Sequence, residues 1–194
     1  MDNQNIPTLG KITPYPFQWE IIQAIKQHIR DEWAACKAGE KTQADPAIVE
    51  AYVSAGKTIL LGAIARHCQD VGARCMVLAR QGELVEQNAD ECWNMGAKNS
   101  IFSASLGVKS THFPIIVGTE KTVANALHTQ LKDYAPHVLL IDETHMVHWR
   151  DVIKGEQRAR GENVEGGDTS FAQIINGLRR RYPRMAIIGV TGTP

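Results

Sequence analysis

Hydrophobic and polar positions alternate along the chain in blocks whose period switches between that of a helix and that of a buried strand. Phe17, Ile21, Ile22, Ile25, Ile29 and Trp33 recur at helical spacing, with Glu20, Lys26 and Arg30 on the other face and Gly39 as a C-terminal stop. Ala47-Ile48-Val49 is a short apolar run followed by a turn, and Ile59 to Ala65 opens a second helical pattern that runs to about Asp70 and breaks at Gly72. The spacing then predicts a strand over 74–79, a helix over 83–94 ending near Gly96, and strands over 100–106 and 114–117. A helix follows from an N-cap at Thr119, with Val123, Ala124 and Leu127 inward, and His137 to Ile141 is a fully apolar strand. A helix capped by Ser170 carries Phe171, Ile174, Ile175 and Leu178, and Met185 to Val190 is the last strand. Residues 146–169 show the weakest periodicity, and the glycine-rich, charged stretch 155–168 reads as a mobile surface excursion.

Continuous apolar strands alternating with helices are the pattern of a mainly parallel sheet flanked by helices on both faces. Pro7, Pro14 and Pro16 make residues 1–16 an extended leader, and 17–194 one α/β domain. At 194 residues the chain is long enough for one such domain and short for two, and 43% apolar with 22% charged residues is ordinary globular composition. Lys plus Arg balance Asp plus Glu at 21 each, so bulk charge points to no partner. The arginines at 179–181 end a predicted helix, where cations suit the helix dipole. Four cysteines without a Cys-x-x-Cys pair suggest neither a zinc site nor a disulfide framework. With no apolar run of about 20 residues and no secretory leader, a cytoplasmic location is expected.

Chemistry concentrates at two strand ends. The stretch Ala51-Tyr52-Val53-Ser54-Ala55-Gly56-Lys57-Thr58 joins the first strand to the second helix and closes as a phosphate-binding loop does. There, helix-start N–H groups cradle phosphates, a lysine reaches the outer ones and a hydroxyl meets Mg²⁺. Ser54, Ala55, Gly56, Lys57 and Thr58 are therefore the candidate nucleotide contacts, although Ala51 and Ser54 stand where glycines are usual. Leu139-Leu140-Ile141-Asp142-Glu143 ends a buried strand with two carboxylates, at the sheet end where ligands of open α/β folds sit. Beside a phosphate loop, Asp142 with Thr58 suits Mg²⁺ and Glu143 suits a general base acting with Lys57 in hydrolysis.

With these residues in order, the chain resembles the superfamily 2 DEAD/DEAH-type helicases, in their N-terminal RecA-like domain. Asp142-Glu143-Thr144-His145 is similar to the family's Walker B box. Tyr15-Pro16-Phe17-Gln18 looks like its Q-motif, 77–87 and 117–122 like motifs Ia and Ib, and Gly189 to Pro194 like motif III. The block Glu83-Leu84-Val85 with Gln87-Asn88 resembles that of RadD-like DNA-repair helicases, and type I and III restriction translocases share much of the same pattern. The resemblance implies ATP and Mg²⁺ as cofactors, Gln18 on the adenine edge, and Arg80, Thr119 and Lys121 on a nucleic-acid backbone. It also implies that His145, Thr191 and Thr193 couple hydrolysis to strand movement. The implied partners are DNA, with RNA left open, and a second RecA-like domain of the same polypeptide that is absent from this chain, so that hydrolysis by the isolated fragment is expected to be weak. Two other readings stay open: the motor part of a restriction-type translocase, and a nucleotide- or DNA-binding module without turnover.

Overall fold

In the computed structural model, which describes residues 6–51 and 56–192, a seven-stranded sheet runs in the order β1-β7-β6-β2-β5-β3-β4. The strands are β1 (Ala47–Glu50), β2 (Cys75–Ala79), β3 (Asn99–Ser103), β4 (Val108–Lys109), β5 (Ile115–Thr119), β6 (Val138–Asp142) and β7 (Ala186–Thr191). The helices are α1 (Pro16–Ala38), α2 (Lys57–Asp70), α3 (Gly82–Asn94), α4 (Glu120–Ala126), α5 (Trp149–Ala159) and α6 (Ser170–Arg181). Neighbouring strands are parallel except for β4, which turns back antiparallel on β3.

The period-2 alternation of each strand sorts its side chains between two cores. Val77, Val117, Leu140 and Ile188 face α1, α2 and α3, packing with Ile22, Ile25, Leu60, Ile64 and Val85. Met76, Leu78, Ile116, Leu139 and Ile187 face the other way onto Val123, Leu127, Ile174 and Leu178 of α4 and α6. Because β2, β5, β6 and β7 are buried along their whole length, both faces demand apolar residues, which explains the unbroken runs seen in the sequence. Gly62 allows α2 and α3 to close up, since a Cβ there would stand 3.1 Å from Met95 Sδ.

Helix ends follow the sequence signals with one shift. Pro16 sits at N1 of α1, Gln18 Oε1 accepts the Tyr15 N–H at 2.9 Å, and Gly39 ends the helix in the left-handed conformation. Thr169, one residue before the expected Ser170, caps α6 by accepting from the Ala172 N–H.

Four expectations are corrected. The segment 146–169 is not irregular throughout, because α5 forms within it. Val152 is its one buried residue, so hydrophobic periodicity carries almost no trace of it. Polar tertiary contacts dock it instead: Asn176 Nδ2 donates to Val152 O at 3.0 Å, Arg179 pairs with Glu156 at 3.1 Å, and Arg158 pairs with Asp168 at 2.8 Å just beyond it. The strand expected to reach Leu106 stops at Ser103, where a turn through Gly107 starts the β3-β4 hairpin. The arginines 179–181 do more than balance a helix dipole: Arg179 also donates to Ala44 O, and Arg181 donates to the carbonyls of Leu127, Leu131 and Tyr134 that end the α4 region. Residues 9–12 of the expected leader form a tight turn whose Lys11 N–H donates to Asn94 O at 2.7 Å, docking it on the end of α3.

Candidate nucleotide site

Strand order brings the two chemical stretches together. β7 lies between β1 and β6, with Glu50 opposite Thr191 and Val190 opposite Asp142, so the end of β1 and the carboxylates at the end of β6 flank one strand tip. Lys57, at the start of α2, forms an ion pair with Glu143 Oε1, 86 residues away in sequence. Both side chains are largely shielded, at 14% and 30% exposure, so their attraction is only partly screened by solvent. The other Glu143 oxygen lies 3.2 Å from His145 Nδ1, which lies 2.9 Å from Thr191 Oγ1. A continuous polar path thus runs from the helix start that would face phosphates to the end of β7.

Backbone conformation sets this geometry. Glu143 has φ 55°, and among the described residues no other non-glycine has positive φ. A left-handed carboxylic residue costs about 1–2 kcal/mol, a strain of the kind that concentrates at functional sites. It turns the chain sharply after β6 into a short 3₁₀ turn, Thr144–Met146, and aims Glu143 back toward α2. That turn lies on β7 at Gly189, where an added Cβ would stand 2.3 Å from Thr144 Oγ1. Gly56 also has positive φ, and a Cβ there would meet Gln18 Nε2 at 2.5 Å. The buried Gln18 amide is therefore packed directly against the phosphate-loop end, joining the α1 start to the site.

Asp142 is buried at the end of β6. Burial, reinforced by neighbouring Glu143, pushes its carboxyl above the usual carboxylate range, while the hydrogen bond from Asn88 and the charge of Lys57 act in the opposite direction. Asn88 Nδ2 donates to Asp142 Oδ2 at 2.9 Å. A shielded carboxylate beside a hydroxyl-bearing helix start is a donor set suited to Mg²⁺, which takes one or two carboxylates and completes its shell with phosphate oxygens and water. Among the described residues no cluster of three or more His, Cys, Asp or Glu is placed to hold a metal ion. Thr58 is half-buried in the first turn of α2.

Gln18, Gly56, Lys57, Thr58, Asp142, Glu143, His145 and Thr191 thus gather at one end of the sheet. Ser54, Ala55 and Thr193 lie outside the described residues. The residues expected on a nucleic-acid backbone are not gathered in the same way. Arg80 is exposed and lines a cavity of about 330 Å³ with Met146, His148 and Phe171, whereas Lys121 lines a separate one of about 260 Å³ with Lys109 and Asn125. Thr119 is buried, its hydroxyl 2.7 Å from Thr122 Oγ1. Asn88 and Gly189 fell within family-like stretches of the sequence but were given no role of their own. Asn88 occupies an inward position of α3 with Val85, Ala89 and Cys92, and a polar residue in that apolar stripe was the available signal.

Comparison with known proteins follows the same lines. Residues 11–194 match the family model described as type III restriction enzyme, res subunit. No curated protein matches the chain in sequence. Among solved structures, it is similar to the UvsW helicase from bacteriophage T4, with 18% identity and TM-score 0.59 over 94% of this chain and 53% of that one. It is also similar to the Sulfolobus solfataricus SWI2/SNF2 ATPase core in complex with dsDNA, with 13% identity and TM-score 0.62 over 98% of this chain and 34% of that one. The Pyrococcus furiosus Hef helicase domain matches with 18% identity and TM-score 0.58 over 93% of this chain and 33% of that one. The chain therefore spans about half or less of the length of these structures, and the likeness to them establishes the fold. Membership carries the implication of ATP use. With the family model covering nearly its whole length, the chain belongs to the type III restriction enzyme res-subunit family, and it shares the RecA-like fold of the UvsW and Hef helicases.

Proposed function

We propose that this domain binds ATP with Mg²⁺ and hydrolyses it to drive a DNA helicase or translocase of the repair and processing type. The observation that carries the reading is the Lys57–Glu143–His145–Thr191 path, which links the start of α2 to the tip of β7, the strand next to β1. In this reading Lys57 and the N–H groups at the start of α2 hold the outer phosphates, and Gln18 addresses the adenine edge. Glu143 accepts the proton of the attacking water. Thr58 and Asp142 hold Mg²⁺, which when bound neutralises phosphate charge. His145 and Thr191 pass the altered position of Glu143 to β7, and Thr193 shares that coupling role by its place in the motif III-like stretch. A second RecA-like lobe of the same polypeptide closes on the strand-end face, in a cytoplasmic enzyme.

Duplex DNA runs along the ends of β2 and β5 in this reading, over Arg80, Thr119 and Lys121, as the dsDNA bound to the SWI2/SNF2 core encourages. Thr119 contributes there through backbone groups, its hydroxyl being committed internally. A restriction-type motor is the second reading, favoured by the family match itself, and a nuclease domain in the polypeptide would select it.

Arg80→Ala combined with Lys121→Ala tests the DNA assignment. Each lost phosphate contact removes about 0.9 from the slope of log affinity against log salt, so the double variant is expected to bind duplex DNA less tightly and to shallow that slope by about 2. An unchanged slope places the DNA elsewhere.

A further inference from the structure

We propose that Asn88 is a positioning residue that fixes the carboxylate plane of Asp142 for Mg²⁺ and ties that carboxylate to helix α3. The inference rests on the ATP–Mg²⁺ reading above.

Asn88 and Asp142 are 54 residues apart, 1% and 5% exposed, and joined by one 2.9 Å hydrogen bond between side chains. Asn88 Nδ2 donates to Oδ2, and the carboxylate also takes the backbone N–H of Glu143. Two donors from different elements leave the carboxylate little rotational freedom about its terminal bond, which otherwise has a broad torsional well. Mg²⁺ demands near-octahedral geometry, so a ligand held in one plane binds it better than one that must be ordered at the moment of binding.

The amide is not there for packing. Its stripe on α3 is otherwise apolar, with Val85, Ala89 and Cys92 buried beside it, and a leucine would satisfy that environment. Asn88 Oδ1 is buried with no hydrogen-bond partner, an unfavourable arrangement that an apolar residue would avoid. What the asparagine contributes is the Nδ2 donor to Asp142. Through it the metal carboxylate is attached to α3, whose N-terminus lies two residues beyond Arg80 at the end of β2. A displacement of α3 therefore moves the Asp142 carboxylate directly, without passing through Lys57 or Glu143.

The test separates the metal from the nucleotide. ATP binding to the purified chain is titrated calorimetrically in EDTA and then over a Mg²⁺ series, for the unmodified chain, Asn88→Leu, Asn88→Ala and Asp142→Asn, with a thermal melt of each. The Mg²⁺ concentration giving half of the metal-dependent gain in affinity is expected to rise about tenfold or more in both Asn88 variants, the range seen when a residue supporting a metal ligand is lost. Affinity in EDTA is expected to stay within about twofold, since the side-chain hydrogen bond of Asn88 goes to the metal carboxylate and not to a residue assigned to the nucleotide. Weakening of the EDTA affinity by the same factor, or an unmoved half-point in variants that melt as folded proteins, overturns the proposal. Should Asp142→Asn also leave the half-point unmoved, Asp142 is no metal ligand, and the ATP–Mg²⁺ reading falls together with the inference built on it.

Discussion

Glu143→Gln is expected to bind ATP several-fold more tightly than the unmodified chain and to release phosphate about 10²–10⁴-fold more slowly. The two effects have one origin. Lys57 is held by Glu143 in an ion pair, and the same ammonium is the group suited to the outer phosphates. Binding therefore competes with the pair, and apparent affinity is scaled down to the fraction of molecules in which Lys57 is released from it. A neutral amide holds the lysine less strongly and lowers that barrier to binding, but it has no basic oxygen with which to take a proton from water. Calorimetric titration and a phosphate-release assay read the two halves separately. Loss of both affinity and turnover would mean that Glu143 organises the loop rather than competing for Lys57.

Gly189→Val carries the largest expected cost in stability. The position lies in β7 with neighbours on both sides, Ile48 in β1 and Ile141 in β6, so the strand cannot shift aside. A Cβ there would stand 2.3, 2.5 and 2.7 Å from Thr144 Oγ1, Cβ and Cγ2. Overpacking of this kind costs about 3 kcal/mol, which for a domain of this size lowers the melting temperature by about 6–12 °C. The obstruction comes from the turn that follows Asp142 and Glu143, so surviving folded protein should also lose ATP affinity. Adding Thr144→Ala removes two of the three obstructing atoms and is expected to recover part of the loss, a coupling that a double-mutant cycle measures. Full additivity would show that Thr144 is not the obstacle.

The sheet was legible because four of its strands are buried on both faces, which forces long apolar runs that no solvent-facing element imitates. Gly56-Lys57-Thr58 and Asp142-Glu143 were legible as chemistry because polar residues so placed interrupt apolar patterns at strand and helix ends. Their meeting was not, since the contact between Lys57 and Glu143 depends on β7 inserting between β1 and β6, a pairing order that local pattern does not encode. Helix α5 escaped notice because it is held by Asn176, by Arg179 and, just beyond its end, by Asp168 rather than by an apolar stripe. Thr119 looked like an exposed contact and is buried, because its side chain turns inward to Thr122 and Ser103 where the helix begins. Gly189 was legible only as the start of the motif III-like stretch, as a glycine in a strand does not announce which neighbour presses against it.

The Lys57 ammonium is the single group on which the nucleotide reading depends. Titration of ATP with Mg²⁺ into the chain, beside Lys57→Ala, measures its contribution directly. The account predicts saturable, one-to-one binding by the unmodified chain and at least about a tenfold loss of affinity in the variant, equivalent to about 1.4 kcal/mol. Equal affinity in the two proteins, or no binding by either, would contradict it.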